Sequence, residues 1–464
     1  MLQRDVICGV LREALSTGGD FAEIFVEDTL RSVLRMVNGR VEEGLSGREH
    51  GVGIRIYQGL SSVYAYTSDS SRSGLLAAAR QAAAAIDGVR GEVDIVLTPR
   101  SVPNGHPVAV MPHTVTAARK AELLHRAHRA ASTYDPFITQ VRTGIMDEEQ
   151  NILVANSHGL LVEDQRVRTR FTVQAVASKG GEKQTGSSSP GRHMGFELFE
   201  QVVDVEKAAQ EAARSAVTMV NADLCPSGQM PVVIANEFGG VIFHEACGHG
   251  LEATSVAKGH SVFANKLGER IASEWVTAID DGTIPNAWGS ANIDDEGTPT
   301  RRNVLIEKGI LTGYLVDRLN GRRMNMEPTG SGRRQSYKFA PTSRMSNTYI
   351  AAGPLTPEEI IADTETGLYA RYMGGGSVNP ATGEFNFAVQ EGYLIKDGEI
   401  AQPVRGATLI GKGSEVLLRI DRVANDLGFG QGMCGSASGS IPADVGQPTI
   451  RVSSLTVGGR KEAR

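Results

Sequence analysis

The sequence predicts an α+β protein: N-terminal α/β units with mixed or antiparallel sheets, then a β-rich C-terminal domain carrying one helix of special composition. Three observations carry this expectation. Short stretches alternate apolar and polar residues, and between them lie alanine- and leucine-rich runs with helical spacing. A helix–strands–helix order occurs in residues 1–98 and recurs in 108–222, without a clear sequence repeat. From 229 to 464 the chain reads mostly as strand and loop. The 464 residues are enough for two or three domains, and 41% hydrophobic content supports real cores.

Taken in order, MLQRDVICGVLREAL reads as an amphipathic helix with Ile7, Val10, Leu11 and Leu15 on one stripe. Val52, Ile54 and Ile56 alternate as in a half-buried strand, and Ser62 to Thr67 continues the β pattern. Residues 71–86 are alanine-rich and helical. Pro99 to Pro107 reads as a linker. Residues 114–131 predict a helix, Ile152 to Ser178 hairpin-like strands, and 204–219 another helix. Gly180-Gly181 and Gly186 to Gly191 mark loops, and Asn221 to Met230 a boundary. Pro231 to Ala235 is a short apolar strand, and Asn236 is a plausible N-cap for a helix running from Glu237 onward. Further strands are expected at 303–307, at 392–396 before the turn Asp397-Gly398, and at 450–456.

A net charge of −6 gives no electrostatic reason to bind nucleic acid or an anionic membrane. No apolar run is long enough to span a bilayer. The N-terminus lacks the apolar core and cleavage site of a signal peptide. Cys8, Cys225, Cys247 and Cys434 are too scattered for a disulfide framework and fit a reducing, cytoplasmic setting.

The expected C-terminal helix carries His244-Glu245-Ala246-Cys247-Gly248-His249. Two histidines and a glutamate so close can hold a metal and activate a water on it. The common zinc-binding helix places its histidines at i and i+4. Here the second is at i+5, and on a regular helix five residues rotate by roughly 140°. Both rings reach one metal only if the helix widens into a π-bulge or unwinds near Gly248. A catalytic zinc keeps three protein ligands and one open position. His244 and His249 supply two. Cys434, in the glycine-rich stretch Gly428 to Gly435, is the leading third candidate; Cys247 and Glu252 are rivals. Glu245 is the natural general base. Asp280-Asp281 and Asp294-Asp295-Glu296 read as acidic turns before they read as supports for the histidines. Arg322-Arg323 and Arg333-Arg334 read as solvated basic loops before they read as clamps for a peptide carboxylate or an acidic partner. Gly374 to Gly376 either presents backbone to a peptide or turns the chain; it is not a P-loop.

Residues 236–260, NEFGGVIFHEACGHGLEATSVAKGH, resemble the TldD branch of the TldD/PmbA metallopeptidase family. So do IDDGT at 279–283, IDDEGTPT at 293–300, NVLIEKGILTGYL at 303–315, PTGSGRRQSY at 328–337 and RMSNTYI at 344–350. The resemblance continues through GGGSVNPATGEF, VRGATLIGKG, NDL and MCG to LTVGG at 455–459, and more loosely covers 37–57. It implies a zinc-dependent peptidase with His244, His249 and Cys434 as ligands of one ion per active subunit and Glu245 as catalytic base. It also implies a substrate of unfolded or extended peptide, and a PmbA/TldE-type heterodimer partner or a homodimer. Two features depart from the family pattern: Cys247, and the small residues Gly-Ser-Ala-Ser-Gly-Ser after Cys434. The alternatives are a small-amide hydrolase and a non-catalytic metal-stabilised scaffold or binding subunit. A fourth protein ligand closing the metal shell would favour the scaffold.

Overall fold

The computed structural model describes residues 2–88, 94–379 and 382–459. Met1 of the N-terminal helix, residues 89–93 of the first unit, Pro380-Ala381 of the GGGSVNPATGEF stretch and residues 460–464 lie outside them.

The two N-terminal segments share one eight-stranded sheet. Its strands are β1 (Phe21–Val37), β2 (Arg40–Gln58), β3 (Ser61–Thr67), β4 (Thr98–Arg100), β5 (Ile138–Asn156), β6 (Leu160–Lys179), β7 (Glu182–Ser188) and β8 (Gly191–Arg192). The order is β3-β2-β1-β5-β6-β4, with β7 and β8 also paired to β6. The join is the antiparallel pairing of β1 with β5, from Glu23↔Asn156 to Val37↔Arg142.

Alternation along β1 assigns its two faces. Ala22, Ile24 and Val26 pack with α1 (Arg4–Ala14) and α2 (Arg72–Ala83). Leu34 and Met36, farther along the same face, pack with α3 (Ala117–Ser132) and α5 (Val205–Val220), which follows the short α4 (Leu198–Gln201). Ser71, Thr116 and Asp204 cap the three longer helices after α1 with side-chain oxygens that accept backbone N–H groups. The opposite face, with Phe25, Ile152 and Val154, packs on Ile293 and Tyr337 of the C-terminal domain.

That domain begins with β9 (Asp223–Leu224) and β10 (Gly228–Ile234). β10 lies in a second eight-stranded sheet between Thr366–Val378 and Ile450–Gly458. A six-stranded sheet ends in the hairpin Gly439–Gln447 and Gly428–Ser436, the latter at its edge. The helix α6 (Val241–Ala246) contacts both sheets.

Several local expectations change. Part of Pro99–Pro107 is strand, since β4 pairs in parallel with Leu160–Val162, and His106 is buried in a stack on His193. Gly186 belongs to β7, where an added Cβ would stand 2.0 Å from the Ala212 carbonyl oxygen of α5; its place is set by close packing, not by a loop. Asn236 precedes the helical segment, but its side chain makes no cap and instead donates to the Asp426 carbonyl at 2.7 Å.

The acidic and basic runs are neither exposed turns nor solvated loops. Asp280 is buried and accepts from the Ser346 amide and hydroxyl and from the Thr348 hydroxyl. Arg322 ion-pairs with Asp20 and lies over the Tyr57 ring. Asp295 accepts from Arg166 at 2.7 Å and from the Arg334 amide at 2.7 Å, while Arg334 reaches Glu23 at 3.0 Å. Glu296 accepts from Arg55 at 2.9 Å. Glu23, Arg55, Arg166, Asp295, Glu296 and Arg334 form a buried ionic seam between the N-terminal sheet and the C-terminal domain. Burial opposes the Asp295 charge, but Arg166 and Arg334 outweigh it and hold its carboxyl below the usual range. Removing Asp295 takes from buried Arg166 its shorter carboxylate contact, leaving Asp164 at 3.4 Å, and leaves the Arg334 amide without its acceptor. Asp295→Ala is therefore expected to cost about 3–5 kcal/mol, read from the urea midpoint at unchanged slope. A loss under about 1 kcal/mol, as for an exposed pair, would refute this role.

Candidate metal centre

The histidine segment is bent by close backbone packing. Residues Glu237–Gly240 form a 3₁₀ turn, and an added Cβ on Gly240 would lie 2.6 Å from the Gly446 backbone. Two glycines thus let the helix start rest on the strand Gly439–Gln447. The α-helical part ends at Ala246. Cys247 leaves helical geometry with φ −128° and ψ −48°, and Gly248–Leu251 continues as a 3₁₀ turn. Gly248 sits where an added Cβ would meet the Met345 sulfur at 2.3 Å. The sequence predicts a departure from α geometry between Glu245 and His249, and the chain makes it by unwinding at Cys247, not by a π-bulge.

The break turns His249 back toward His244. Their ring centroids are 5.2 Å apart with planes at 84°. Cys434 comes from the edge strand Gly428–Ser436, paired with Ile441. His244 Nε2 is 3.2 Å and His249 Nε2 3.4 Å from Cys434 Sγ. One donor atom from each residue lies within 4.8 Å of the others. Tetrahedral zinc, with bonds of about 2.0 Å to nitrogen and 2.3 Å to sulfur, sets such donors about 3.5 Å apart, and the two nitrogen–sulfur separations of 3.2 and 3.4 Å need only a slight opening to take one ion. The thiol chemistry also suits it. Burial disfavours the Cys434 thiolate, but the two imidazoles override that and bring its pKa down to about 3.

Glu252 is not among the converging donors. Its Oε2 accepts a hydrogen bond from His249 Nδ1 at 3.2 Å, which leaves Nε2 facing Cys434. Burial alone would lower the His249 pKa; Glu252 and Cys434 raise it well above the usual value. A carboxylate that orients a histidine in this way is a recurrent support of metal sites. Arg344, wholly buried, donates to the Cys434 carbonyl, to Ser438 Oγ and to the Gly439 carbonyl, the last two at 2.9 Å. Its Nε stands 3.9 Å from Glu252 Oε1, so one guanidinium spans the cysteine strand and the histidine support. Arg344 opens the RMSNTYI stretch that carries part of the family resemblance, but the stretch does not show what it does; its role arises from contacts 90 or more residues away.

Glu245 is about one-third exposed, with Oε2 3.7 Å from His249 Nε2. Cys247 is buried among apolar residues, its thiol pushed up by burial, and it is not among the converging donors.

A carboxylate beside two histidines and a cysteine, on a broken helix within an α+β body, is a donor set of the kind metallopeptidases use. Family comparisons agree. Residues 22–86, 111–220 and 227–459 match domain 1, the central domain and the C-terminal domain of the PmbA/TldA metallopeptidases. The chain is 37% identical to a metalloprotease TldD homolog of Haemophilus influenzae, over 95% of this chain and 93% of that one. It is 37% identical to a metalloprotease of Methanothermobacter thermautotrophicus, over 95% and 96%. A zinc metalloprotease TldD homolog of Saccharolobus solfataricus is 28% identical over 72% and 75%. The crystal structure of TldE from Thermococcus kodakarensis shares the fold at 21% identity, with a TM-score of 0.78 over 98% of this chain and 100% of that one. The protein belongs to the PmbA/TldD metallopeptidase family.

Proposed function

We propose that the chain is the catalytic subunit of a zinc peptidase that hydrolyses unfolded or extended peptides, with His244, His249 and Cys434 holding one ion and Glu245 as general base. The observation that carries this reading is the convergence of the three donor atoms beside the Glu245 carboxylate. When bound, the ion supplies a Lewis acid that polarises the scissile carbonyl and acidifies the attacking water. Glu245 Oε2 accepts the water proton and returns it to the leaving amine nitrogen. Glu252 holds the His249 ring through Nδ1, and Arg344 fixes the Cys434 backbone. No fourth protein donor joins the group among the described residues, which supports an open position over a closed structural site.

Cys434 lies on the edge strand of its sheet, and a sheet edge suits extended peptide backbone better than a folded surface or a small amide. Among the described residues no helix is long and apolar enough to cross a membrane, in keeping with a cytoplasmic setting. The TldE fold and the TldD relatives support pairing with a TldE-type partner, a second copy of this chain being the alternative. Purified protein, alone and with such a partner, is expected to cleave an unstructured peptide, to lose activity on chelation and to regain it with zinc. Activity that survives complete metal removal, or that is confined to small amides, would overturn the reading.

A further inference from the structure

A cavity of about 250 Å³ opens between β5–β6 and the edge hairpin that carries Cys434. Its apolar wall includes Trp288, Ile441 and Met433, the residue before Cys434. Its polar wall is rich in arginine, and the charges there do not balance locally. The wall carboxylates are already engaged: Asp147 by Lys120 at 2.6 Å, Glu148 by Arg31 at 2.7 Å and Asp295 by Arg166 at 2.7 Å. Arg334 is held by Glu23 at 3.0 Å. Two guanidiniums are left over.

Arg168 donates to the carbonyls of Trp288 and Ser290 at 2.9 and 3.0 Å, and its nearest carboxylate, Glu148, is 4.0 Å away. Arg333 donates to the carbonyls of Met345 and Pro442 at 2.6 and 2.8 Å, and among the described residues it makes no ion pair. Both are buried. Burial, and for Arg333 next the charge of Arg168, lowers their pKa values to about 10 and about 9, so both remain cations at neutral pH. Two buried cations that repel each other across a cavity are costly unless an anion enters between them. Guanidinium matches a carboxylate in charge and in planar geometry.

We propose that this cavity receives a carboxylate of the bound peptide, between Arg168 and Arg333, beside the hairpin that carries Cys434. The proposal rests on the peptidase reading and names a feature of its substrate: a C-terminal carboxylate or an acidic side chain. The volume suits such an end group, being below the roughly 300–1,000 Å³ of sites that enclose whole small molecules.

The test is binding to the full-length, zinc-loaded Glu245→Gln protein, followed by anisotropy of labelled unstructured peptides. Four peptides pair a C-terminal acid or amide with an internal Glu or Gln. A carboxylate is expected to tighten binding about tenfold or more, as charge-assisted hydrogen bonds do. The arm that responds identifies the source. Arg333→Met in the same background should abolish the difference while leaving binding of the uncharged peptide unchanged; Arg168→Met serves if that variant does not fold. Equal binding of all four peptides, no binding at all, or a preference that survives in a folded arginine variant would overturn the proposal. A carboxylate preference in a wild-type enzyme that cleaves none of the peptides would instead overturn the peptidase reading and leave the cavity assignment standing.

Discussion

Zinc-loaded Glu245→Gln is expected to retain its ion and its peptide affinity while losing about 10²–10⁴-fold in kcat, the usual contribution of a positioned general base. The carboxamide keeps the shape of the side chain but cannot accept the water proton. The effect falls on the chemical step because Glu245 is about one-third exposed and its contact with His249 Nε2, at 3.7 Å, is too long to be structural. Single-turnover cleavage measured beside metal content separates this from loss of the ion. Full activity in a metal-replete variant would sink the assignment of the base.

The second large effect separates the two cysteines of the site region. Cys434→Ala removes the thiolate on which both imidazole nitrogens converge, at 3.2 and 3.4 Å, and should abolish stoichiometric zinc and activity together. Cys247→Ala should keep both and lose only about 1 kcal/mol of packing. Thermal unfolding gives a readout independent of activity. A folded protein held at about 1,000 times its Kd for a ligand gains about 4 kcal/mol, so zinc should raise Tm in wild type and in Cys247→Ala but not in Cys434→Ala. Loss of metal only in Cys247→Ala would reverse the ligand assignment.

The histidine pair, the glutamate and the broken helix were legible because they lie within six residues, where spacing and backbone geometry constrain each other. Cys434 could be nominated from its glycine-rich setting, but only the tertiary fold brings it to the histidines. The sequence offers Glu252 as a rival ligand, not as the group that orients His249, since that depends on which way the 3₁₀ turn faces. Long strands were read in part. Val52, Ile54 and Ile56 alternate visibly, whereas the first half of β2 is largely exposed and gives no apolar period. The single N-terminal sheet was not legible, because β1 pairs with β5 across more than 100 residues. The sequence reads Asp294-Asp295-Glu296 as an acidic turn and Arg333-Arg334 as a solvated loop for the same reason: the groups that bury them, among them Arg166 for Asp295, Arg55 for Glu296 and Glu23 for Arg334, are distant in sequence, and local composition carries no record of them.

His244 and Cys434 are separated by 190 positions in the chain. During synthesis the histidines and Glu245 leave the ribosome long before the cysteine, and the edge strand must then find its place beside them. On the proposed ligand set, a growing or truncated chain that ends short of Cys434 lacks one donor and should remain inert toward other unfolded chains around it. The order of translation would thus act as a safeguard, withholding proteolytic competence until the C-terminal domain has closed.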